Sequence, residues 1–119
     1  MSLSSVKIRY WYTVDGDKPQ TYWCDYISFG CGNVTAQFTL LATPRPSADY
    51  YLELGFASAA GSLAPGANTG PLQSRFSKND WSSYTQTGDY SFDPTKTQYA
   101  DWTKITVYEN GVLVWGVEP

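Results

Sequence analysis

Residues 75–92, RFSKNDWSSYTQTGDYSF, gather side chains suited to chemistry. One Arg, one Trp, two Tyr and a run of hydroxyl, amide and carboxylate oxygens fall in this short span. A simple core strand has no need of that mixture. Trp and Tyr suit surfaces that must be both wet and sticky, and clustered hard oxygens suit a cation. The span reads as a strand leaving the core, a surface loop that presents Trp81, and a turn able to hold a cation. Lys78, Asn79, Asp80, Ser82 and Ser83 surround Trp81 with polar groups, so its exposure is expected. Trp11, Trp23, Trp102 and Trp115 are expected in core or edge packing, because tryptophans are usually largely buried.

The rest of the chain must position that span. With 119 residues it reads as one domain, 1–119, large enough for a hydrophobic core. Net charge is −3 and no Lys/Arg run stands out, so the footprint of a nucleic-acid binder is missing. No apolar run approaches the length of a membrane span. No signal peptide is visible, and Met1-Ser2-Leu3 reads as an expression start on a module cut from a longer secreted, extracellular protein. His is absent, which removes the commonest general base and transition-metal ligand. Cys24 and Cys31 leave two readings, one short disulfide or two reduced buried thiols. The turn-like Gly30 and Gly32 and the lack of a helical pattern favour the disulfide, which would stabilise by about 2.5 kcal/mol in the chain-entropy account.

Alternation supplies the scaffold. Val6, Ile8, Tyr10 and Tyr12 alternate with Lys7, Arg9, Trp11 and Thr13. Asp15-Gly16 is a hairpin signal, and 21–24 returns as a strand. Strands follow at 34–40, 50–56 and 72–76, with a loop at 44–47 and a long Gly/Ala/Ser/Pro-rich surface connection at 57–70. The best hairpin signal is Asn110-Gly111, between strands at 104–108 and 112–117. Short strands with regular turns and no helical period predict an all-β antiparallel sandwich. The sequon Asn33-Val34-Thr35 falls in strand-like sequence and carries little weight.

Five segments, VKIRYWYTVDGDKPQTYWCDY, ADYYLELGF, LAPG, RFSKNDWSSYTQTGDYSF and NGVLVWGVEP, together resemble the family 3 carbohydrate-binding modules, the cellulose-binding domains of secreted bacterial cellulases and scaffold proteins. The resemblance implies a jelly-roll sandwich, a structural calcium ion and a flat face that adsorbs to crystalline cellulose or a related β-1,4-glucan. By that resemblance Asp25, Tyr26, Arg75 and Trp81 form the cellulose-binding strip, with Gln73 and Tyr90 as secondary anchors. Thr13, Asp15, Thr85, Gly88 and Asp89 match the calcium ligands, Gly88 standing where an Asn is common. Asp15 and Asp89 could instead shape turns through local hydrogen bonds. The chain departs from the family by lacking two strands before Val6, which would leave sheet edges open to self-association or strand exchange.

Two other functions compete with a non-catalytic, targeting cellulose binder. A glycoside hydrolase would need a carboxylate pair drawn from Asp25, Glu53, Asp80 or Asp93, but none lies in a recognisable catalytic motif. A structural accessory module supporting a neighbouring hydrolase without adsorbing would be expected to have lost Asp25, Arg75 and Trp81.

Overall fold

The computed structural model describes residues 2–14, 19–45, 47–65, 70, 72–81, 84, 89–93, 95 and 102–119. Among the described residues seven strands form: β1 Val6–Tyr12, β2 Gln20–Tyr26, β3 Val34–Arg45, β4 Ala48–Phe56, β5 Gln73–Lys78, β6 Ile105–Glu109 and β7 Val112–Trp115. Short 3-10 turns occupy Leu3–Ser5, Cys31–Asn33 and Ser58–Ala60. All pairings are antiparallel. One sheet has five strands in the order β3-β4-β1-β6-β7, and the other has β2 and β5 alone.

The strand period of two sets the layers. Val6, Ile8, Tyr10 and Tyr12 turn inward from β1, where Tyr12 packs with Val14 and Leu52, and Val6 with Leu3, Ile27 and Phe56. Phe76 of β5 closes the sandwich from above, with ring centroids 6.0 Å from Tyr10, 5.0 Å from Tyr12 and 5.8 Å from Phe38. Burial pushes the Tyr10 phenol up to about 12, with the nearby Asp89 charge adding to the shift. Tyr12 is pushed higher still, again chiefly by burial. Leu3, one of the three residues read as an expression start, is buried in this core.

The loop predicted at 44–47 begins later than expected. β3 runs through Pro44 to Arg45, which pairs with Ala48 after a register shift beyond Leu40. β3 is an edge strand, and Pro is tolerated where no ladder N–H is needed. The 57–70 connection contains the 58–60 turn and a bridge from Ser62 to Ser2. The Asp15-Gly16 hairpin signal lies outside the described residues. Asn110 and Gly111 have φ of 52° and 80°, as a two-residue hairpin turn of the Asn-Gly type requires. Gly116 has φ of 88°, and a Cβ there would lie 2.6 Å from the Ile105 carbonyl oxygen. A glycine therefore lets the chain fold back so that the Val117 N–H donates to the Thr103 carbonyl at 2.7 Å.

Candidate functional site

The outer face of the β2–β5 sheet is built by register. Trp23 stands opposite Arg75, and Tyr26 opposite Gln73, with a shift between Cys24 and Tyr26. The Cys24–Cys31 disulfide, Cα–Cα 5.6 Å, ties the end of β2 to the turn at 31–33 just where that shift occurs. Cys24 packs inward against the Leu3–Val6 cluster. Its neighbours Trp23 and Asp25 therefore turn outward.

Four side chains line up on this face. Arg75 Nε donates to Asp25 Oδ1 at 3.0 Å and Oδ2 at 3.2 Å. The Arg75 guanidinium lies 5.0 Å from the Trp23 ring centroid. Trp23 in turn stacks on Trp81, with centroids 5.7 Å apart and planes 11° from parallel. Trp81 is 71% exposed, and the Arg75 and Asp25 side chains are 61% and 42% exposed. Tyr26 is also exposed, and Gln73 is exposed beside it. Asp25, Tyr26, Arg75, Trp81 and Gln73 thus share one face. Tyr90 does not join it. Its hydroxyl donates to the Val117 carbonyl, its ring lies 5.3 Å from Lys104 Nζ, and its N–H is held by the Ser47 carbonyl.

Trp23 is the member that sequence reasoning left out. It was expected in core or edge packing, yet it is the middle of the array. The signal was available in alternation: with Cys24 committed inward, Trp23 and Asp25 fall on the other side. Trp81 carries a further mark. It closes a turn in which its N–H donates to the Lys78 carbonyl at 2.9 Å, and its φ is 63°. A bulky residue in the left-handed region is held at a cost of about 1–2 kcal/mol. The turn holds this strained backbone with the indole exposed.

The residues matched to the cation site come together in part. Asp89 Oδ1 accepts from the Thr13 hydroxyl at 2.6 Å and from the Thr13 N–H at 3.1 Å, and Asp89 is buried. Asp15, Thr85 and Gly88 lie outside the described residues, among which no group of three His, Cys, Asp or Glu could hold a metal. The donor chemistry of Thr13 and Asp89, a hydroxyl and a carboxylate, fits a hard cation such as calcium. Two residues beyond Asp89, Ser91 fastens this end of the loop to β1. It accepts from the Trp11 N–H at 2.7 Å through Oγ, donates that Oγ–H to the Lys104 carbonyl at 2.6 Å, and receives the Trp102 indole N–H on its carbonyl at 3.0 Å.

A second aromatic–ionic cluster lies on the outer face of the five-stranded sheet. Arg9 Nε donates to Glu53 Oε2 at 2.8 Å, and its guanidinium lies 4.3 Å from the Tyr51 ring centroid and 4.4 Å from that of Tyr108. Asp25 and Glu53, two acids considered for hydrolysis, are therefore on opposite outer faces, each engaged by an arginine.

The model for the family described as "Cellulose binding domain" matches residues 1–116. Exoglucanase-2 of Thermoclostridium stercorarium is 57% identical over 117 residues, covering 98% of this chain and 13% of that protein. The chain spans about a tenth of the length of such relatives: the β-mannanase/endoglucanase A of Caldicellulosiruptor saccharolyticus is 50% identical over all of this chain and 9% of its own length. Among solved structures, a biomass-sensing module from Rsgi-like proteins of Clostridium thermocellum superposes with TM-score 0.95 at 44% identity, over 100% of this chain and 78% of that one. The family 3b module of the scaffoldin ScaA from Acetivibrio cellulolyticus gives 0.92 at 47% identity, over 100% and 77%. The chain belongs to the cellulose-binding domain family, the family 3 carbohydrate-binding modules, and is a non-catalytic carbohydrate-binding β-sandwich.

Proposed function

We propose that the module adsorbs to crystalline cellulose through the outer face of β2–β5 and so brings an attached enzyme or scaffold to its substrate. The observation that carries this reading is the line Trp81–Trp23–Arg75–Asp25, in which Trp81, Arg75 and Asp25 are exposed and Trp23 is half-buried between them. A glucose ring in a β-1,4 chain presents an apolar C–H face, which the flat Trp81 ring can cover. Its equatorial hydroxyls fall at the rim, where the Asp25 carboxylate accepts hydrogen bonds and the Arg75 guanidinium donates them. Charge-assisted bonds of this kind are the stronger class. The Arg75–Asp25 pair holds both groups in place before the ligand arrives, so less side-chain freedom is lost on binding. Tyr26 and Gln73 extend the face.

Calcium is part of the proposal as a structural ion. Thr13 and Asp89 would hold it, together with oxygens from Asp15, Thr85 and the Gly88 carbonyl, and it would tie the end of β1 to the segment that follows Trp81. An extracellular setting is part of the same proposal, supported by the similarity to an exoglucanase, a xyloglucanase and a cellulosomal scaffolding protein. The test is depletion from solution by microcrystalline cellulose, comparing the unmutated chain with Trp81→Ala. A roughly tenfold loss of affinity, about 1.4 kcal/mol, is expected; equal adsorption would reject this face.

A further inference from the structure

Trp81 stands in a turn whose backbone is fixed but whose own residues do not hold the ring. Its φ is 63°, and its N–H donates to the Lys78 carbonyl. Those constraints aim the Cα–Cβ bond and leave the two side-chain torsions to be set by what the indole touches. The indole is 71% exposed, and its sequence neighbours Asn79, Asp80, Ser82 and Ser83 are polar. A ring left free to change rotamer would lose that freedom on a flat ligand surface, at a cost to affinity.

Trp23 supplies the missing constraint. It sits in β2 between Tyr22 and Cys24, whose partners across the sheet are Phe76 and Ser74. Cys24 is also tied to Cys31 by the disulfide. A side chain carried on a paired strand is placed more firmly than one carried on a loop. The half-buried Trp23 indole meets Trp81 with planes 11° from parallel and centroids 5.7 Å apart. Near-parallel rings at that separation are offset-stacked, an arrangement that aromatic pairs prefer. The plane of the loop-borne indole is therefore matched to that of the strand-borne one. The Arg75 guanidinium lies 5.0 Å from the same Trp23 centroid, and Arg75 is the cross-strand partner of Trp23. Both outer groups thus rest against one ring.

We propose that Trp23 is a positioning residue for polysaccharide binding. It sets the plane of Trp81 and holds the Arg75 guanidinium beside it, while the polysaccharide covers Trp81 and not Trp23. This inference rests on the reading of the outer β2–β5 face as the binding face. The chemistry required at this point of β2 is a flat ring with a π face. Phe retains such a face; Leu keeps apolar bulk but offers neither an indole nor a guanidinium a plane to lie on.

The test compares Trp23→Leu, Trp23→Phe and Trp81→Ala with the unmutated chain. Adsorption to microcrystalline cellulose is corrected to the folded fraction, and NMR relaxation of the Trp81 indole N–H is measured in the two Trp23 variants and the unmutated chain. Trp23→Leu should lose about fivefold in affinity, the worth of an aromatic pair, and its Trp81 indole should become mobile on the picosecond–nanosecond scale. Trp23→Phe should stay within about twofold of the unmutated chain and keep the indole ordered. The proposal is overturned if Trp23→Leu adsorbs normally while Trp81→Ala does not, or if the indole stays ordered in Trp23→Leu. Equal losses in Trp23→Leu and Trp23→Phe, with Trp81 ordered in both, would make Trp23 a direct contact instead. Normal adsorption by Trp81→Ala would overturn the binding face itself, and this inference with it.

Discussion

The molecule builds the same triad of chemistry on each outer face, and the two copies differ in solvent. Arg75 sits against Trp23 and is bonded to Asp25; Arg9 sits against Tyr51 and Tyr108 and is bonded to Glu53. The Arg75 and Asp25 side chains are 61% and 42% exposed, against 26% and 20% for Arg9 and Glu53. Cation–π and ionic contacts strengthen as water is excluded. The Arg9 cluster therefore contributes to holding β1, β4 and β6 together. The Arg75 cluster contributes little to stability and keeps its hydrogen-bonding groups open to a ligand. Exposure, and not residue type, separates a clamp from a binding strip.

The largest expected effect that would break this contrast is on stability. Arg9→Ala should lower unfolding free energy by about 2 kcal/mol, because it removes two close ring contacts and leaves Glu53 partly buried without its partner; urea midpoints check this. Arg75→Ala should lower it by less than ~0.5 kcal/mol.

Calcium removal should act on neither cluster directly but on the frame between them. Melting in excess chelator should fall by several degrees relative to calcium buffer, since an ion bound only by the folded chain stabilises it. Unchanged melting would remove the ion from the account.

Alkaline pH offers a third probe. Tyr10 has its folded value near 12, raised by burial and then by Asp89, against an ordinary 10.0. A raised value means that the folded chain keeps its proton when the unfolded chain has lost it. This contribution to stability is complete below pH 10 and is lost between pH 10 and 12. Tyr10→Phe should flatten the decline of urea midpoints across that window.

The smallest effect sharpens the role of the Trp81 turn. With φ at 63°, Trp81→Gly should be about 1 kcal/mol more stable than Trp81→Ala, although both remove the ring. Equal stability would mean that the turn relaxes once the indole is gone.

Much of this was legible in sequence because period-two alternation is a local signal. It gives β1, β4 and the β6–β7 hairpin directly, and the Asn110-Gly111 turn with them. The polar surroundings of Trp81 likewise predicted its exposure. Less legible was anything set by pairing across the sheet. Trp23 reads as another half-buried tryptophan until register sets it between Arg75 and Trp81. The persistence of β3 through Pro44 depends on its being an edge, which alternation cannot reveal. Tyr90 looks equivalent to other exposed tyrosines until its hydroxyl is seen on Val117. The Arg9 cluster was invisible for the same reason, since Arg9 and Glu53 lie 44 residues apart.

The most direct measurement is a pair of adsorption isotherms on microcrystalline cellulose, for Arg75→Ala and Arg9→Ala, each corrected to the folded fraction. Arg75→Ala should lose several-fold in affinity while melting as the unmutated chain does, and Arg9→Ala should melt lower while adsorbing normally once folded. Normal adsorption by Arg75→Ala, or loss of adsorption by folded Arg9→Ala, would contradict the assignment of the β2–β5 face.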